Sequence, residues 1–449
     1  MIQKEEVMKF ETGLNDFDAF LRENALSELC ELLELGEIKV KQPSNLLNMH
    51  CHTFFSYNGC GFSPSYIAWW AKKEGLFATG TVDFDVLDAV DEFLHAASNL
   101  DIRGTCGIET RAFIPELADK EINSPGEPGV AYHMGMGFIS GKVPKESEKF
   151  LLGLRRKASE RTRNIVEKVN KYLSPVEIDF DKDAVRLTPS GNVTERHVCQ
   201  AYFEKAIEIF RDISQREEFW AEKLSLSDAD AEKIVDDPVK LQGIIRAKTM
   251  KSGGPGYVKA DPSSFPLVRD MNKFILSCGA IPTIAWLDGG FAGESNPAEL
   301  IRLHKSCGAA AINIIPDRNW NFKDPEVKKK KVLELNRIIE ESVKNDLPVF
   351  VGTEMNAPGQ KLIDDFSSDA LAPHVNEFVK GAAILFAHTI LQPKGMGYLS
   401  KWAGSAFKSI KEKNAFFEKA GNLSTPASAA KLKNIDCASS PELILKALM

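Results

Sequence analysis

Two histidines separated by one residue, His50 and His52, are the side chains of this sequence best suited to chemistry. They follow a short apolar run at residues 46–49. On an extended strand alternate side chains share one face, so both imidazoles point the same way and Cys51 points away. Two imidazoles at a strand end can hold one metal ion. Chance also produces such pairs, so the interpretation depends on what ends the other strands.

Short apolar stretches alternate with amphipathic helical patterns from residue 46 onward, which is typical of an α/β architecture with parallel strands. The predicted strands are 46–50, 76–82, 102–108, 133–139, 280–286, 309–315 and 348–353. Helical periodicity covers 85–99, 262–277, 297–306 and 324–346, and Ser63-Pro64 marks a further helix start. Seven strand–helix repeats favour a closed or nearly closed barrel over an open sheet.

The repeat is interrupted once, because residues 145–255 carry helical patterns and no convincing parallel strand. We therefore predict a helical insertion between the fourth and fifth strands. The full predicted organisation is a polar helical lead-in, a barrel in two segments, the insertion and a helical tail, at residues 1–42, 43–144 with 256–400, 145–255 and 401–449. Gly253-Gly254-Pro255-Gly256 lacks the spacing of a phosphate-binding loop and predicts a turn.

Composition and net charge limit the classes of partner and the cellular location that we expect for this chain. The 449 residues carry a net charge of −7, and we expect no nucleic-acid partner. No apolar stretch approaches the roughly 20 residues that span a bilayer, so we expect no membrane partner either. The first residues lack the apolar core of a signal peptide. The eight cysteines form no CxxC pair, which indicates reduced thiols in a cytoplasmic protein. Oligomeric state is not indicated.

The ends of the predicted strands are rich in groups that bind metals and anions. In parallel βα barrels reactive side chains lie at these positions. The candidates there are His50, His52, Asp83, Asp85, Glu109, Arg111, Asp288, Arg318 and Glu354, with His133 at the start of the fourth strand. Imidazole and carboxylate are the usual ligands of Zn²⁺, Mn²⁺ and Fe²⁺ in catalytic sites. An arginine fork, Arg111 or Arg318, would bind an anionic substrate. The joint pattern predicts a metal site.

Four segments at or near the ends of the predicted strands resemble motifs of the PHP family, the polymerase-and-histidinol-phosphatase superfamily. The segments are Met49-His50-Cys51-His52-Thr53, Thr81-Val82-Asp83-Phe84-Asp85, Gly107-Ile108-Glu109 and His133-Met134-Gly135-Met136-Gly137. The resemblance covers residues 46–290 and extends more loosely to about residue 360. It implies a distorted seven-stranded (β/α)7 TIM-like barrel and, in many members, a cluster of three metals that hydrolyses phosphate esters.

Several of the family's ligand positions are altered in this chain. The altered positions are Asn58, Phe84, Trp286 and Asn356. By resemblance, His50, His52, Glu109 and Glu354 preserve the ligands of one metal, and His133 would share Glu109 in a second. Asp288 could replace the ligand lost at Trp286. Phenylalanine has no donor atom and asparagine is a poor ligand for these ions, so we predict one or two metals, Zn, Mn or Fe, and no third.

The leading prediction is a metal-dependent hydrolase, a phosphoesterase that acts on a small phosphorylated molecule. The residues predicted to be catalytic are His133, Asp83 and Asp85, and those predicted to bind substrate are Arg111, Arg318 and Trp286. Trp286 would stack on a planar group or simply fill the barrel mouth. Two alternatives remain open. An amidohydrolase-like C–N hydrolase needs only one or two metals, and a catalytically degenerate family member would bind a ligand without turnover.

Overall fold

The centre of the molecule is a seven-stranded sheet in a computed structural model that describes residues 4–258 and 264–449. The strands are β1 (Leu47–Cys51), β2 (Ala78–Phe84), β3 (Arg103–Phe113), β4 (Val130–Met136), β5 (Ile281–Trp286), β6 (Ala311–Ile314) and β7 (Val349–Val351). Their order across the sheet is their order along the chain. The predicted α/β class, with a nearly closed, distorted TIM-like barrel of seven strands, is confirmed.

Contacts between the first and last strands close the barrel. Cys51 at the end of β1 forms a parallel bridge with Glu354, just after β7. The Asn48 amide joins the same segments, donating to Thr353 Oγ1 at 2.8 Å and accepting from Thr353 N at 3.2 Å. Asn48 Oδ1 also accepts from His50 N at 3.1 Å. The closure therefore holds the end of β7 directly against the strand that carries His50.

One strand departs from the predicted parallel arrangement. β1, β2 and β3 run parallel, as do β5, β6 and β7, but β4 is antiparallel to both of its neighbours. A parallel strand needs a crossover that returns the chain to the same edge, which is usually a helix. The connection at residues 114–129 contains only the short 3₁₀ helix Pro115–Leu117, so the chain turns back instead. The predicted parallel strand at 133–139 was wrong in direction, and it lies at 130–136.

Helices surround this sheet and continue beyond it at both ends of the chain. They are α1 (Lys4–Gly13), α2 (Ala19–Glu34), α3 (Pro64–Glu74), α4 (Val90–Asn99), α5 (Lys145–Leu173), α6 (Glu195–Ile209), α7 (Ile213–Leu224), α8 (Asp228–Ile234), α9 (Pro238–Ile245), α10 (Val268–Ser277), α11 (Pro297–Ser306), α12 (Asp317–Trp320), α13 (Pro325–Lys344), α14 (Val375–Leu391), α15 (Lys401–Ala406), α16 (Ile410–Leu423), α17 (Pro426–Ala429) and α18 (Pro441–Leu448). The predicted helix at 297–306 has those bounds. Residues 262 and 263 of the predicted helix 262–277 lie outside the described residues.

Local sequence signals explain where α3 begins and ends. Ser63 accepts a hydrogen bond from Tyr66 N at 3.0 Å and Pro64 occupies the first turn, as the sequence predicts. Gly75 ends the helix at φ +66°, a conformation that costs glycine little. The helix buries Ile67 and Trp69 against the barrel, and this packing supports the strand ends that carry the candidate ligands.

Helices α5–α9 follow β4 and precede β5 in the chain, in the segment predicted to be the insertion, and residues of this segment line a cavity together with the strand ends. They share a hydrophobic cluster of their own that includes Tyr202 and Trp220. The segment between α5 and α6 contacts the barrel through Asn192, whose Nδ2 donates to Phe84 O at 2.8 Å. Phe84 ends β2. The insertion therefore lies over the ends of the strands where the candidate ligands were predicted.

Helices near both ends of the chain pack on the outside of the barrel. Arg22 on α2 pairs with Glu92 on α4, and Trp69 Nε1 on α3 donates to Glu11 at 2.9 Å. Helix α14 is buried along almost its whole length, and His388 on it bonds to Gly137 O through Nε2 at 3.0 Å. Among the described residues, none of the helices combines the length and the apolar character that crossing a membrane requires.

Asp364, in the loop after β7, is a buried carboxyl whose ionisation should oppose folding. It accepts from Trp320 Nε1 at 3.1 Å, and Oδ2 has no partner among the described residues. Burial raises the pKa of Asp364 to about 7. The folded chain therefore binds a proton that the unfolded chain releases near pH ~4, and the free energy of unfolding falls as the pH rises from about 4 to about 7.

We expect Asp364→Asn to change stability little at about pH 4 and to raise it by roughly 2 kcal/mol at about pH 8, measured by urea unfolding. Asparagine resembles the protonated carboxyl and can still accept from Trp320. Asp365→Asn, at the exposed neighbouring position, is the control. Hydrogen bonds from Ser367 lower the pKa of Asp365, so this substitution should cost more stability at pH ~8 than at pH ~4, the opposite pH dependence. An equal gain from Asp364→Asn at both pH values would contradict the prediction.

Candidate metal centre

Three buried side chains converge at the barrel mouth. His50 Nε2 lies 3.2 Å and His52 Nε2 lies 3.0 Å from Glu109 Oε2, and the two imidazole nitrogens are 3.3 Å apart. Both histidines are fully buried and Glu109 is 1% exposed. Within the described part of the chain this is the one group of three or more histidine, cysteine or acidic side chains close enough to share an ion. The strand ends bring together residues that are 59 positions apart.

Each imidazole is oriented by a hydrogen bond at its other nitrogen. His50 Nδ1 donates to Asn313 Oδ1, on β6, at 3.0 Å. His52 Nδ1 lies 3.0 Å from Ser56 Oγ, and Ser56 in turn donates to Asp83 Oδ1 at 2.5 Å. Ser56 has one proton and gives it to the carboxylate, so His52 Nδ1 must be the donor in the bond to Ser56. Both Nε2 atoms are consequently left with a lone pair directed at Glu109.

The arrangement therefore gathers three acceptor atoms with no donor between them unless a histidine takes up a second proton. Burial raises the pKa of Glu109, but the pairing with His50 and His52 more than offsets this and lowers it to about 2. Burial lowers the pKa of His50, but Glu109 more than offsets this and raises it, so without an ion a proton lies between His50 and Glu109, and a bound cation would take its place. Bonds of about 2.0–2.1 Å to a tetrahedral ion place neighbouring ligands roughly 3.3 Å apart. The observed separations of 3.0–3.3 Å fit such an ion, and buried His₂Glu is a donor set that suits Zn²⁺, Mn²⁺ or Fe²⁺.

Ser56→Ala tests the orientation of His52. We expect it to weaken Zn²⁺ binding by about 10- to 100-fold, because the ring loses the group that fixes its tautomer. Asp83 keeps its hydrogen bonds from Thr53 N and Thr53 Oγ1, at 2.8 and 2.7 Å. Competition with a chelating dye measures the affinity.

Ser65→Ala is the matched control, since Ser65 is also a buried serine that donates to a carboxylate, Glu92, at 2.8 Å, but lies outside the cluster. It should leave Zn²⁺ binding unchanged. Wild-type affinity in Ser56→Ala would show that the relay from Asp83 does not orient His52.

Glu354 lies beside the cluster without joining it. His52 N donates to Glu354 O at 2.7 Å, but the Glu354 carboxylate accepts from Arg318 at 3.2 Å and from Gln360 at 3.3 Å. Glu354 and the next residue, Met355, have φ of 65° and 56°. Non-glycine residues in this region cost about 1–3 kcal/mol each and concentrate at functional sites. The strained turn presents a further carboxylate next to the three converging side chains.

A cavity of about 720 Å³ separates the barrel mouth from the insertion. Its floor touches the cluster at three points: Ser56 bonds to His52, the Phe84 ring lies 4.3 Å from the His52 ring, and Glu354 interacts electrostatically with His50. The three converging side chains do not line the cavity themselves, and the cavity ends at the residues that lie directly against them.

Three predicted site residues from the barrel also line this cavity. Arg111 pairs with Glu127 at 2.6 Å, and Arg318, with 44% of its side chain exposed, pairs with Glu354. Asp85 accepts from Thr110 Oγ1 at 2.5 Å, and burial raises its pKa. Asp83 does not line the cavity and is fully engaged in positioning the loop that follows β1. Arg111, Arg318 and Asp85 can reach a ligand, and Asp83 cannot.

The structure does not bring His133 to the cluster. Its ring packs between the sheet and the outer helices, with Nε2 2.5 Å from Asn272 Oδ1 and the His304 ring stacked at 5.9 Å. Alternate residues of a strand face opposite sides. Since Tyr132 lines the cavity, the next residue must face outward. A second metal shared by Glu109 and His133 has no support in this geometry.

The altered positions of the sequence motifs have structural roles. Asn58 Nδ2 donates to His52 O at 2.7 Å and Phe84 packs on His52. Trp286 is 1% exposed within the main core and does not line the cavity, and Asn356 does line it. Asp288 also lines the cavity, but its carboxylate pairs with Lys331 at 2.9 Å. Among these residues the structure adds no ligand to the three.

Sequence reasoning missed the groups that orient the imidazoles. Asn313 interrupts the apolar strand β6, and a buried asparagine in such a strand is a signal that could have identified it. Ser56 lies in a loop and carries no such signal. Four cations of the insertion also line the cavity, although the sequence around them shows only ordinary surface patterns: Arg161, Arg196, Arg246 and Lys251.

Fold and geometry together define a distorted TIM-like barrel with a buried His-His-Glu group under a cavity. No family model and no curated protein matches the chain. An amidohydrolase from Chromobacterium violaceum, solved with bound sulfate and no metal, matches in structure with a TM-score of 0.50 and 16% identity, covering 75% of this chain and 97% of that one. A proposed metal-dependent phosphoesterase from Bifidobacterium adolescentis matches with a TM-score of 0.46 and 15% identity, covering 75% and 98%. At 16% identity the likeness to the amidohydrolase structure shows the fold alone.

Proposed function

We propose that this protein is a metal-dependent hydrolase of small phosphate esters. The observation that carries the proposal is the convergence of two imidazole Nε2 atoms and a carboxylate oxygen, 3.0–3.3 Å apart, beneath a cavity lined by arginines. His50, His52 and Glu109 would hold one divalent cation, with Glu354 beside them as a further ligand. A cation in such a site lowers the pKa of bound water enough to supply hydroxide near neutral pH.

The residues around the cluster have roles that fit an anionic substrate. Arg318 uses one nitrogen for Glu354, and its exposed guanidinium leaves other donors for a phosphoryl oxygen. Arg111 lines the same cavity on β3. Asp85 is the general acid of the proposal, because burial raises its pKa and it faces the cavity, so it can hold a proton for the leaving group. Asp83 is a positioning residue that acts through Ser56 and His52.

The test is turnover by purified protein loaded separately with Zn²⁺, Mn²⁺ or Fe²⁺. The panel contains small phosphomonoesters and phosphodiesters, with cyclic amides as a second arm. We expect at least one metal form to release phosphate or cleave a diester, and we expect His52→Ala to reduce this to background. His95→Ala is the control, since His95 is an exposed histidine on α4 that pairs with Glu23.

Each arm of the panel has a distinct outcome. Turnover confined to cyclic amides would replace the proposal with a C–N hydrolase. Protein that retains no metal and turns over nothing would indicate a ligand-binding protein without catalysis. Phosphoester turnover that survives both His52→Ala and chelation would remove the cluster from the chemistry.

A further inference from the structure

The wall of the cavity that belongs to the insertion carries an excess of positive charge. We define the insertion wall as the charged insertion residues that line the cavity: Arg161, Glu195, Arg196, Arg246 and Lys251. Four are cationic and one is acidic. Glu195 contacts Arg246 and Lys251, both at 2.7 Å, so this single carboxylate is shared by two cations. Neither Arg161 nor Arg196 lies within hydrogen-bonding distance of Glu195.

Arg161 and Arg196 are partly buried, and neither forms a hydrogen bond or ion pair through its guanidinium with any other residue in the described ranges. Arg161 lies 5.1 Å from the Phe265 ring, which Arg111 also approaches at 4.7 Å. Burial and the nearby Arg111 lower the pKa of Arg161 to about 10, although Asp85, Glu127 and Glu195 act in the opposite direction, and burial and Arg246 lower that of Arg196 against the effect of Glu195. The carboxylates nearby therefore do not fully compensate either guanidinium for its burial and for the neighbouring cations, and a bound anion would be favourable there.

The insertion wall faces the metal centre across one cavity. Arg161 interacts electrostatically with Asp85, which follows β2, and Arg196 does so with Tyr57, the residue after Ser56. On the barrel side Tyr132 interacts with Glu109 and with both Arg111 and Arg246. A molecule with one end above the cluster, at Ser56, Phe84 and Glu354, can therefore extend its other end toward the insertion wall without leaving the cavity.

We propose that the insertion wall is a subsite for an anionic group, phosphate or carboxylate, and that Arg161 and Arg196 are its principal binding residues. The subsite selects substrates that carry a second anionic group remote from the group at the metal centre. Only this statement about substrates rests on the proposed function. The anion site itself depends on the geometry of the insertion wall.

Phosphate binding to metal-depleted protein tests the subsite separately from catalysis. Inorganic phosphate is titrated calorimetrically into the wild type and the Arg161→Gln, Arg196→Gln double variant, and succinate is titrated in a parallel arm. We expect at least one of the two probes to bind the wild type and to lose affinity by about tenfold or more in the double variant, because charge-assisted hydrogen bonds are lost. The arm in which this happens identifies the oxyanion.

Arg163→Gln is the matched control. Arg163 lies on the same helix, α5, but pairs with Asp181 on the exposed side at 2.5 Å. It should bind both probes like the wild type. Without ligand, the double variant should melt at the same temperature as the wild type or higher, since two desolvated charges are gone. If the double variant does not fold, Arg196→Gln alone replaces it in both measurements.

Two results would overturn the subsite. If neither probe binds the wild type, or if both bind the double variant as tightly as the wild type, the insertion wall holds no anion. A lower melting temperature of the double variant without ligand, with unchanged affinity, would assign the two arginines a purely structural role. Failure of the phosphoester panel leaves these measurements intact. If the wild type binds neither probe but hydrolyses simple monoesters, the subsite alone is removed and the proposed function stands.

Discussion

Replacing His50 by alanine will weaken Zn²⁺ binding by more than about 100-fold, because losing a direct ligand costs more than losing an outer partner. His50 is one of three groups in the cluster, and alanine leaves only His52 and Glu109 of them. Asn313, which the lost ring would free, offers only an amide, and an amide is a poor ligand for these ions. Phosphoester turnover will fall to background in the same variant. Zn²⁺ affinity is measured by competition with a chelating dye, and turnover by phosphate release.

The control for this substitution is again His95→Ala, whose side chain is 54% exposed and distant from the cluster. It should bind Zn²⁺ like the wild type. Full metal occupancy in His50→Ala, together with wild-type turnover, would mean that the three converging side chains are not the metal centre. Loss of metal with retained turnover would separate metal binding from catalysis.

Gly352→Ala will destabilise the protein by roughly 3 kcal/mol or more and will also reduce metal affinity. A Cβ at this position, just after β7, would lie 2.5 Å from the His50 Cβ and 2.5 Å from Asn48 Oδ1, and closer still to His50 N. These neighbours are backbone and strand residues that cannot move without opening the barrel closure. Because the same atoms position His50, the loss of stability and the loss of metal binding should occur together.

Gly153→Ala is the matched control for Gly352→Ala. Gly153 lies inside helix α5, and an added Cβ there would meet no atom within 4 Å. Alanine should therefore stabilise the helix by about 0.5–1 kcal/mol. Urea unfolding measures both variants, and the chelating dye measures their metal affinity. A Gly352→Ala variant as stable as the wild type, with normal Zn²⁺ binding, would show that the closure tolerates a side chain.

The barrel strands, and the positions of His50, His52 and Glu109 at the strand ends, could be predicted from local sequence pattern. Apolar runs of the right length, separated by amphipathic helices, place the strands within a few residues of their positions. The HxH spacing places His50 and His52 on one side of a strand, and the glutamate that ends the third predicted strand lies 3.0–3.2 Å from both. These features depend on residues close in the chain and on the rule that strand ends gather at one face.

The fourth strand could not be predicted in the same way. His133 has the residue type of a ligand, but its direction depends on the pairing of β4 with β3 and β5. A shift of one residue moves a side chain from one face of a sheet to the other. The connection before β4 gives only a weak signal that the strand direction reverses. Residue type and motif spacing therefore predicted that His133 is a metal ligand, whereas it packs between the sheet and the outer helices.

Residue types and their order thus determine the architecture and the identity of the His-His-Glu group, since these follow from periodicity and from strand ends. Tertiary structure alone decides which polar groups complete the site. Ser56 and Asn313 orient the imidazoles across loops and strands, and Arg161 and Arg196 reach the cavity only because the insertion folds back over the mouth. The physical reason is that tautomer, desolvation and charge pairing depend on neighbours brought together by packing, which one-dimensional spacing does not record.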